Sequence, residues 1–141
     1  MKRYLLQLIF SSFFAISAQN SPFKSFDVVI YPEYYFSGVM AEVEAEVLES
    51  SLPLNLKFQV PSNTDSVFYV SGESDTPKVE EANFSKEDGA VFLNKKITDK
   101  KFRIFVFYGL NKEGTRRSGD FDFQVNHFID DAHIVVQEPL V

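Results

Sequence analysis

Cysteine and tryptophan are absent from this 141-residue chain, and histidine and methionine occur twice each. Without Cys there is no disulfide framework, no thiolate metal site and no Cys nucleophile. With neither Cys nor Trp there is no Cys–Trp–Cys signature, so the antibody branch of the immunoglobulin-like folds is excluded. Positive charge is also scarce: 14 Lys and Arg stand against 20 Asp and Glu, for a formal charge of −6. A net acidic chain does not attract phosphate backbones, which argues against nucleic-acid binding. The chain has no Gly-x-Ser-x-Gly elbow, no phosphate loop and no His-Glu-x-x-His pair. It therefore offers no footing for catalysis or for a bound cofactor, and the expectation is a protein that is not an enzyme.

Apolar runs are short, with one informative instance. Residues 1–18, MKRYLLQLIFSSFFAISA, have the build of a secretory signal peptide. Lys2 and Arg3 form a positive start, residues 4–16 an apolar stretch, and Ile16-Ser17-Ala18 a small-residue cleavage site. The stretch falls short of the ~20 residues that span a bilayer, so it predicts export rather than a permanent anchor. No Cys follows the cut, which excludes a lipidated cysteine. The mature chain then carries a formal charge of −8, because Lys2 and Arg3 leave with the leader. Residues 19–26 read as a short linker and 27–141 as one domain, long enough to bury a core. No later run approaches membrane-spanning length.

What the chain does have is aromatics, 16 Phe and 6 Tyr, set in period-two alternation. Each aromatic buries a large area, and here they must do what disulfides do elsewhere. In residues 54–60, Leu54, Leu56, Phe58 and Val60 share one face and Asn55, Lys57 and Gln59 the other, as in a half-buried strand. Residues 39–48 alternate Val and Ala with Met40, Glu42, Glu44 and Glu46. Residues 120–128 place Phe121, Phe123 and Val125 inward. Residues 102–108, FRIFVFY, are apolar on both faces, the pattern of a central strand covered on both sides. Shorter candidates are 27–31, 67–70, 78–84, 90–96 and 134–136. Pro32, Pro53, Pro61-Ser62-Asn63 and Glu87-Asp88-Gly89 punctuate them, and residues 109–119 form a long hairpin tip. Residues 71–89 are the most polar stretch and read as an excursion with one weak strand. The predicted fold is an all-β antiparallel sandwich of about 7–9 strands, immunoglobulin-like or transthyretin-like.

Three groups of residues are candidates for function. Tyr31, Tyr34, Tyr35 and Phe36 sit around Pro32 at a strand end. They form either a binding platform for peptide or sugar rings, or a cap over the sandwich. His127, Asp130, Asp131 and His133 combine metal-ligating residue types at a spacing that matches no ligand signature. Solvated acids in a loop are the simpler account, with Asp130 and Asp131 as weak Ca²⁺ candidates. A metal-assisted hydrolase would need all four side chains to converge. Charge is segregated in the third group. Lys95, Lys96, Lys100, Lys101, Arg103, Lys112, Arg116 and Arg117 hold most of the mature chain's positive charge, whereas Glu42, Glu44, Glu46 and Glu49 gather earlier. Either Arg116 and Arg117 present a site for an anionic partner, or the acidic and basic strands face each other across a sheet. Asn83-Phe84-Ser85 matches a glycosylation sequon, a tripeptide common by chance.

Four stretches are distinctive together: Val29-Ile30-Tyr31-Pro32-Glu33-Tyr34-Tyr35-Phe36-Ser37-Gly38-Val39-Met40, Leu52-Pro53-Leu54-Asn55-Leu56-Lys57-Phe58-Gln59-Val60-Pro61, Phe107-Tyr108, and Val136-Gln137-Glu138-Pro139-Leu140. They resemble an uncharacterised group of bacterial exported β-sandwich proteins described as carboxypeptidase-regulatory-like or immunoglobulin-like. The resemblance implies an accessory module in the periplasm or at the cell surface, with a protein partner at the cell envelope. It carries no catalytic residues. Members of that group commonly continue past a Gln-x-Pro-type motif, so a further C-terminal segment or anchor is an expectation here. A carbohydrate-binding module built on residues 31–36 is the main alternative.

Overall fold

Because every second residue of the apolar stretches is buried, each strand can contribute one face to a shared core. The computed structural model describes residues 20–72, 77–119 and 121–138. The leader read at residues 1–18 lies outside them, as does the chain beyond residue 138. Twelve strands follow in order: β1 (Phe23–Pro32), β2 (Val39–Val47), β3 (Leu54–Val60), β4 (Thr64–Ser71), β5 (Lys78–Glu81), β6 (Phe84–Glu87), β7 (Ala90–Ile97), β8 (Lys101–Tyr108), β9 (Asn111–Glu113), β10 (Arg116–Ser118), β11 (Gln124–Val125) and β12 (His133–Val136). A six-stranded sheet in the order β12-β1-β2-β8-β4-β5 packs on a four-stranded sheet in the order β11-β3-β7-β6, and β9 and β10 form a separate hairpin. The fold is an all-β sandwich. Within it β1 and β12 run parallel, and the other pairs are antiparallel.

The core lies between the sheets. Val39, Val43, Val67, Ile97, Ile104, Val106 and Tyr108 are fully buried, with Phe58, Phe102, Leu93 and Ile30 almost so. Phe58 stacks on Phe123 at 5.7 Å and Tyr69 on Phe102 at 5.9 Å. Burying large side chains on both inner faces supplies the main stabilisation in a chain without disulfides.

Several sequence expectations change. β1 begins at Phe23, inside the stretch read as linker, because Phe23 and Phe26 are buried and Ser21 Oγ accepts the Phe23 N–H. The polar stretch 71–89 holds two strands, β5 and β6, rather than one. They cross from one sheet to the other, and the Asp88-Gly89 turn joins β6 to β7. The long strand expected at 120–128 shrinks to β11. Phe123 packs on the core while Phe121 is 46 % exposed. The side chains still alternate there, with Phe123, Val125 and Ile129 partly buried against the core, but only Gln124 and Val125 pair with β3.

The acidic β2 and basic β8 are neighbours. Glu44 registers with Arg103 and Glu46 with Lys101, and Arg103 Nη1 lies 3.6 Å from Glu42 Oε1. For Lys101 and Arg103 the charge segregation seen in sequence is thus cross-strand pairing on one sheet, whereas Lys95, Lys100 and Arg117 pair elsewhere.

Candidate functional site: an aromatic ridge on the outer sheet face

β8 is central, flanked by β2 and β4, as its apolar pattern predicts. Only one of its faces is covered by a second layer. Phe102, Ile104, Val106 and Tyr108 enter the core, whereas Arg103, Phe105 and Phe107 point to the other side and are half-buried. The expectation of cover on both faces is therefore corrected. The second apolar face of β8 belongs to the outside of the six-stranded sheet.

Register extends this outer face sideways, since paired residues share a face. Tyr31 pairs with Met40, and Met40 with Phe107. Phe105 pairs with Phe68 on β4. Phe36 lies over Phe107 with ring centroids 5.7 Å apart, and Phe107 meets Phe68 edge-on at 5.8 Å. The result is a band of apolar side chains from β1 to β4, all on the face turned away from the core.

The loop between β1 and β2 closes one end of this band. Pro32 ends β1 by fixing the backbone and removing a donor. Glu33 then takes a left-handed conformation, φ 50°, that is unusual for a residue with a side chain. The Glu33 N–H donates to the Gly38 carbonyl at 2.8 Å and ties the loop shut. Gly38 has no room for a Cβ, which would lie 2.3 Å from the Phe36 ring and 2.7 Å from the Tyr108 carbonyl oxygen. Its bare backbone lets Phe36 fold down onto the sheet.

Tyr31, Tyr34 and Tyr35 pack on one another, with centroids 5.4, 5.8 and 4.7 Å apart and interplanar angles of 62°, 52° and 67°. Rings so close and so tilted make a solid knob. They do not give the coplanar platform on which a sugar ring would lie. Tyr35, at the top, is 65 % exposed. Burial first, then the Glu42 carboxylate and the neighbouring phenols, pushes the Tyr31 phenol up from its ordinary pKa.

The structure joins two of the sequence candidates. Arg117 of β10 forms an ion pair with Glu33, so the hairpin is tethered to the tyrosine loop. Arg116 registers with Glu113 and stays exposed. The same end of the sandwich carries an open cleft of about 750 Å³, lined by Gln59, Asn63, Asp88, Asn111, Phe121 and Asp122 among others.

The histidine and aspartate group does not come together. His127 Nε2 lies 2.8 Å from the Asn55 carbonyl oxygen, and its ring meets Phe23 edge-on at 6.3 Å. His133 Nδ1 lies 3.1 Å from Asp27, and its Nε2 lies 3.8 Å from Asp131. Asp130 is exposed in the loop between β11 and β12. Among the described residues no three His, Asp or Glu side chains assemble as a metal site.

Sequence reading did not include Met40, Phe68, Phe105 or Phe107 in a site. For Phe105 and Phe107 the signal is the double-sided apolar pattern of residues 102–108, which reads as burial, whereas Met40 and Phe68 join them only through strand register. Comparison with family models, with curated proteins and with solved structures found no match for this chain. No helix of the described residues is long and apolar enough to cross a membrane.

Proposed function

We propose that the protein is exported and works as a non-catalytic binding module at the bacterial cell envelope, taking a protein partner on the outer face of its six-stranded sheet. One observation carries the reading: an aromatic band, Tyr31–Met40–Phe107 with Phe36 and Phe68, lies on the sheet face that the domain's own core does not use. Aromatic anchors rimmed by charge are the composition of protein-contact surfaces, where Tyr and Arg concentrate binding energy. The three rings are closely packed and Tyr35 stands exposed at their head, so the cluster suits insertion into a partner's groove. Glu33, Arg117, Glu42 and Arg103 supply the polar rim. The strained Glu33 backbone, held by Arg117 and by the loop's own hydrogen bond, is the kind of outlier that gathers at functional positions. The leader at residues 1–18 supports export, and the resemblance to bacterial exported β-sandwich proteins supports an accessory role.

The test is site-specific photo-cross-linking in cells that make the protein. A photoreactive residue replacing Tyr35 is expected to give a discrete higher-mass adduct, and one replacing Lys86 on β6 is not. Equal labelling from both positions, or none from Tyr35, would retire the reading.

A further inference from the structure

We infer that β12 is a self-pairing edge through which two copies of this chain join their six-stranded sheets. Open strand edges invite pairing, and proteins commonly guard them with charge or brevity. The other sheet edges of this molecule are guarded. β5 carries Lys78, Glu80 and Glu81; β6 carries Lys86 and Glu87; β11 is two residues long. β12 has no such guard. Its sequence is His-Ile-Val-Val, it closes one side of the larger sheet, and Ile134, Val135 and Val136 are 67, 48 and 55 % exposed.

The backbone fixes which groups are available. The Gln137 N–H donates to the Ile30 carbonyl at 2.8 Å, so residue 137 turns toward β1. Alternation turns Val135 the same way and leaves the N–H and C=O of Ile134 and Val136 on the open side. A two-fold axis perpendicular to the sheet preserves its faces, so it must pass through a residue that meets its own copy. Centred on Val135, it sets Val135 against Val135 of the second copy, and Ile134 against Val136. The four outward N–H groups then meet four outward C=O groups, and the Val135 pair becomes the close, non-hydrogen-bonded pair of the ladder.

Side chains and charge agree with this register. Val135 shares the outer face with Val29, and Ile134 and Val136 lie in the rows of Val28 and Ile30, so apolar meets apolar on both faces. His133 falls opposite Gln137 and Ala132 opposite Glu138, so no like charges stand directly opposed. The seam is short, well below the ~1,200 Å² of a standard interface, which fits a weak dimer that forms as concentration rises. A second copy is the occupant because the strand is complementary to itself in this register. The pair would form a continuous twelve-stranded sheet with both aromatic bands on one face. This inference uses residues separate from the aromatic band, so either can fail alone.

The absence of native cysteine makes the test clean. In the full chain as the host releases it, Val135→Cys places two thiols opposite each other at about 4.5 Å between Cα atoms, within disulfide reach. Mild oxidation is expected to give a covalent dimer at least about tenfold faster than Lys86→Cys, an exposed control on β6. The unmodified protein is expected to pass from one chain to two in sedimentation as concentration rises to about 1 mM, and Val135→Lys to raise that midpoint at least about tenfold. Three results would overturn the inference: a single chain at the highest concentration, Val135→Cys no faster than the control, or a dimer indifferent to Val135→Lys. An adduct of Val135→Cys with a different protein and no self-pairing would replace the second copy with a foreign strand.

Discussion

Tyr108 shows how one residue can serve shape rather than polarity. Its ring is fully buried and meets Phe121 and Phe123 edge-on at 6.2 and 6.3 Å. Its hydroxyl is buried with no hydrogen-bond partner among the described residues, and burial pushes the phenol far up from its ordinary pKa. An unsatisfied buried hydroxyl forfeits about 1–3 kcal/mol of desolvation. Tyr108→Phe is therefore expected to leave the protein as stable as before, or more stable by up to about 1 kcal/mol. Urea unfolding measures this, and a loss of more than about 1 kcal/mol would show that the hydroxyl has a partner. Gly38 stands at the other extreme. Its lack of a side chain permits the contact between Phe36 and the sheet, and the sequence marks it only as the glycine that flanks the β2 alternation.

At the scale of elements, the β5–β6 crossover is held by a cluster that joins the two sheets. Glu80 of β5 takes Lys78 at 2.7 Å and Lys95 of β7 at 2.8 Å, and the Lys95 ammonium lies 4.7 Å from the centre of the Tyr69 ring. Hydrogen bonds from Lys78 and then Lys95, reinforced by their charges, hold the Glu80 carboxyl down at about 2, against 4.5 for a free carboxyl. Burial, with Asp99 and Glu80 nearby, pushes the Tyr69 phenol up to about 12. A folded-state value below the unfolded one contributes stability above the unfolded pKa and loses it as pH falls. The Glu80 contribution is thus complete above about 4.5 and fades toward 2. Thermal midpoints measured between those limits are expected to fall less steeply in Glu80→Gln than in the parent. Identical slopes would mean that the cluster does not act on stability.

This cluster also marks a limit of the sequence. β3 is legible because its alternation leaves no other surface to bury, β8 because it is apolar throughout, and β4 and β7 as the shorter candidates 67–70 and 90–96. β2 is legible too, against the helix preference of its Glu and Ala, because its flanking Gly38 and strict period decide. The candidate at 78–84 contains β5 but overruns it, and β6 is not legible as a separate strand, since polar residues carry no period. β11 fails for the opposite reason. Phe123 and Val125 alternate and pack on the core as read, but only two residues pair with β3, and Phe121 lies exposed beside Tyr108.

For the molecule as a whole, the question is what the outside of the larger sheet is for. The tyrosine loop and the Arg117 hairpin are both legible as candidates, yet their ion pair is not, since residues 33 and 117 come together only through the fold. Within the aromatic band Tyr31 and Phe36 are legible as candidates, whereas the second apolar face of residues 102–108 reads as covered. A strand with two apolar faces does not reveal whether the second cover is its own chain or another molecule. In this chain one face of β8 is core and the other is the half-buried outer face of the larger sheet.

The most direct measurement compares the two faces of β8 by chemical unfolding. Ile104 is fully buried, and Ile104→Ala is expected to cost about 2–5 kcal/mol through lost burial and the cavity left behind. Phe107 lies on the outer face between Phe36 and Phe68, where cross-strand pairs contribute only about 0.2–1 kcal/mol each. Phe107→Ser is therefore expected to cost less than half as much as Ile104→Ala. An equal or larger loss at Phe107 would place the aromatic band in the folding core and contradict its role as a contact surface.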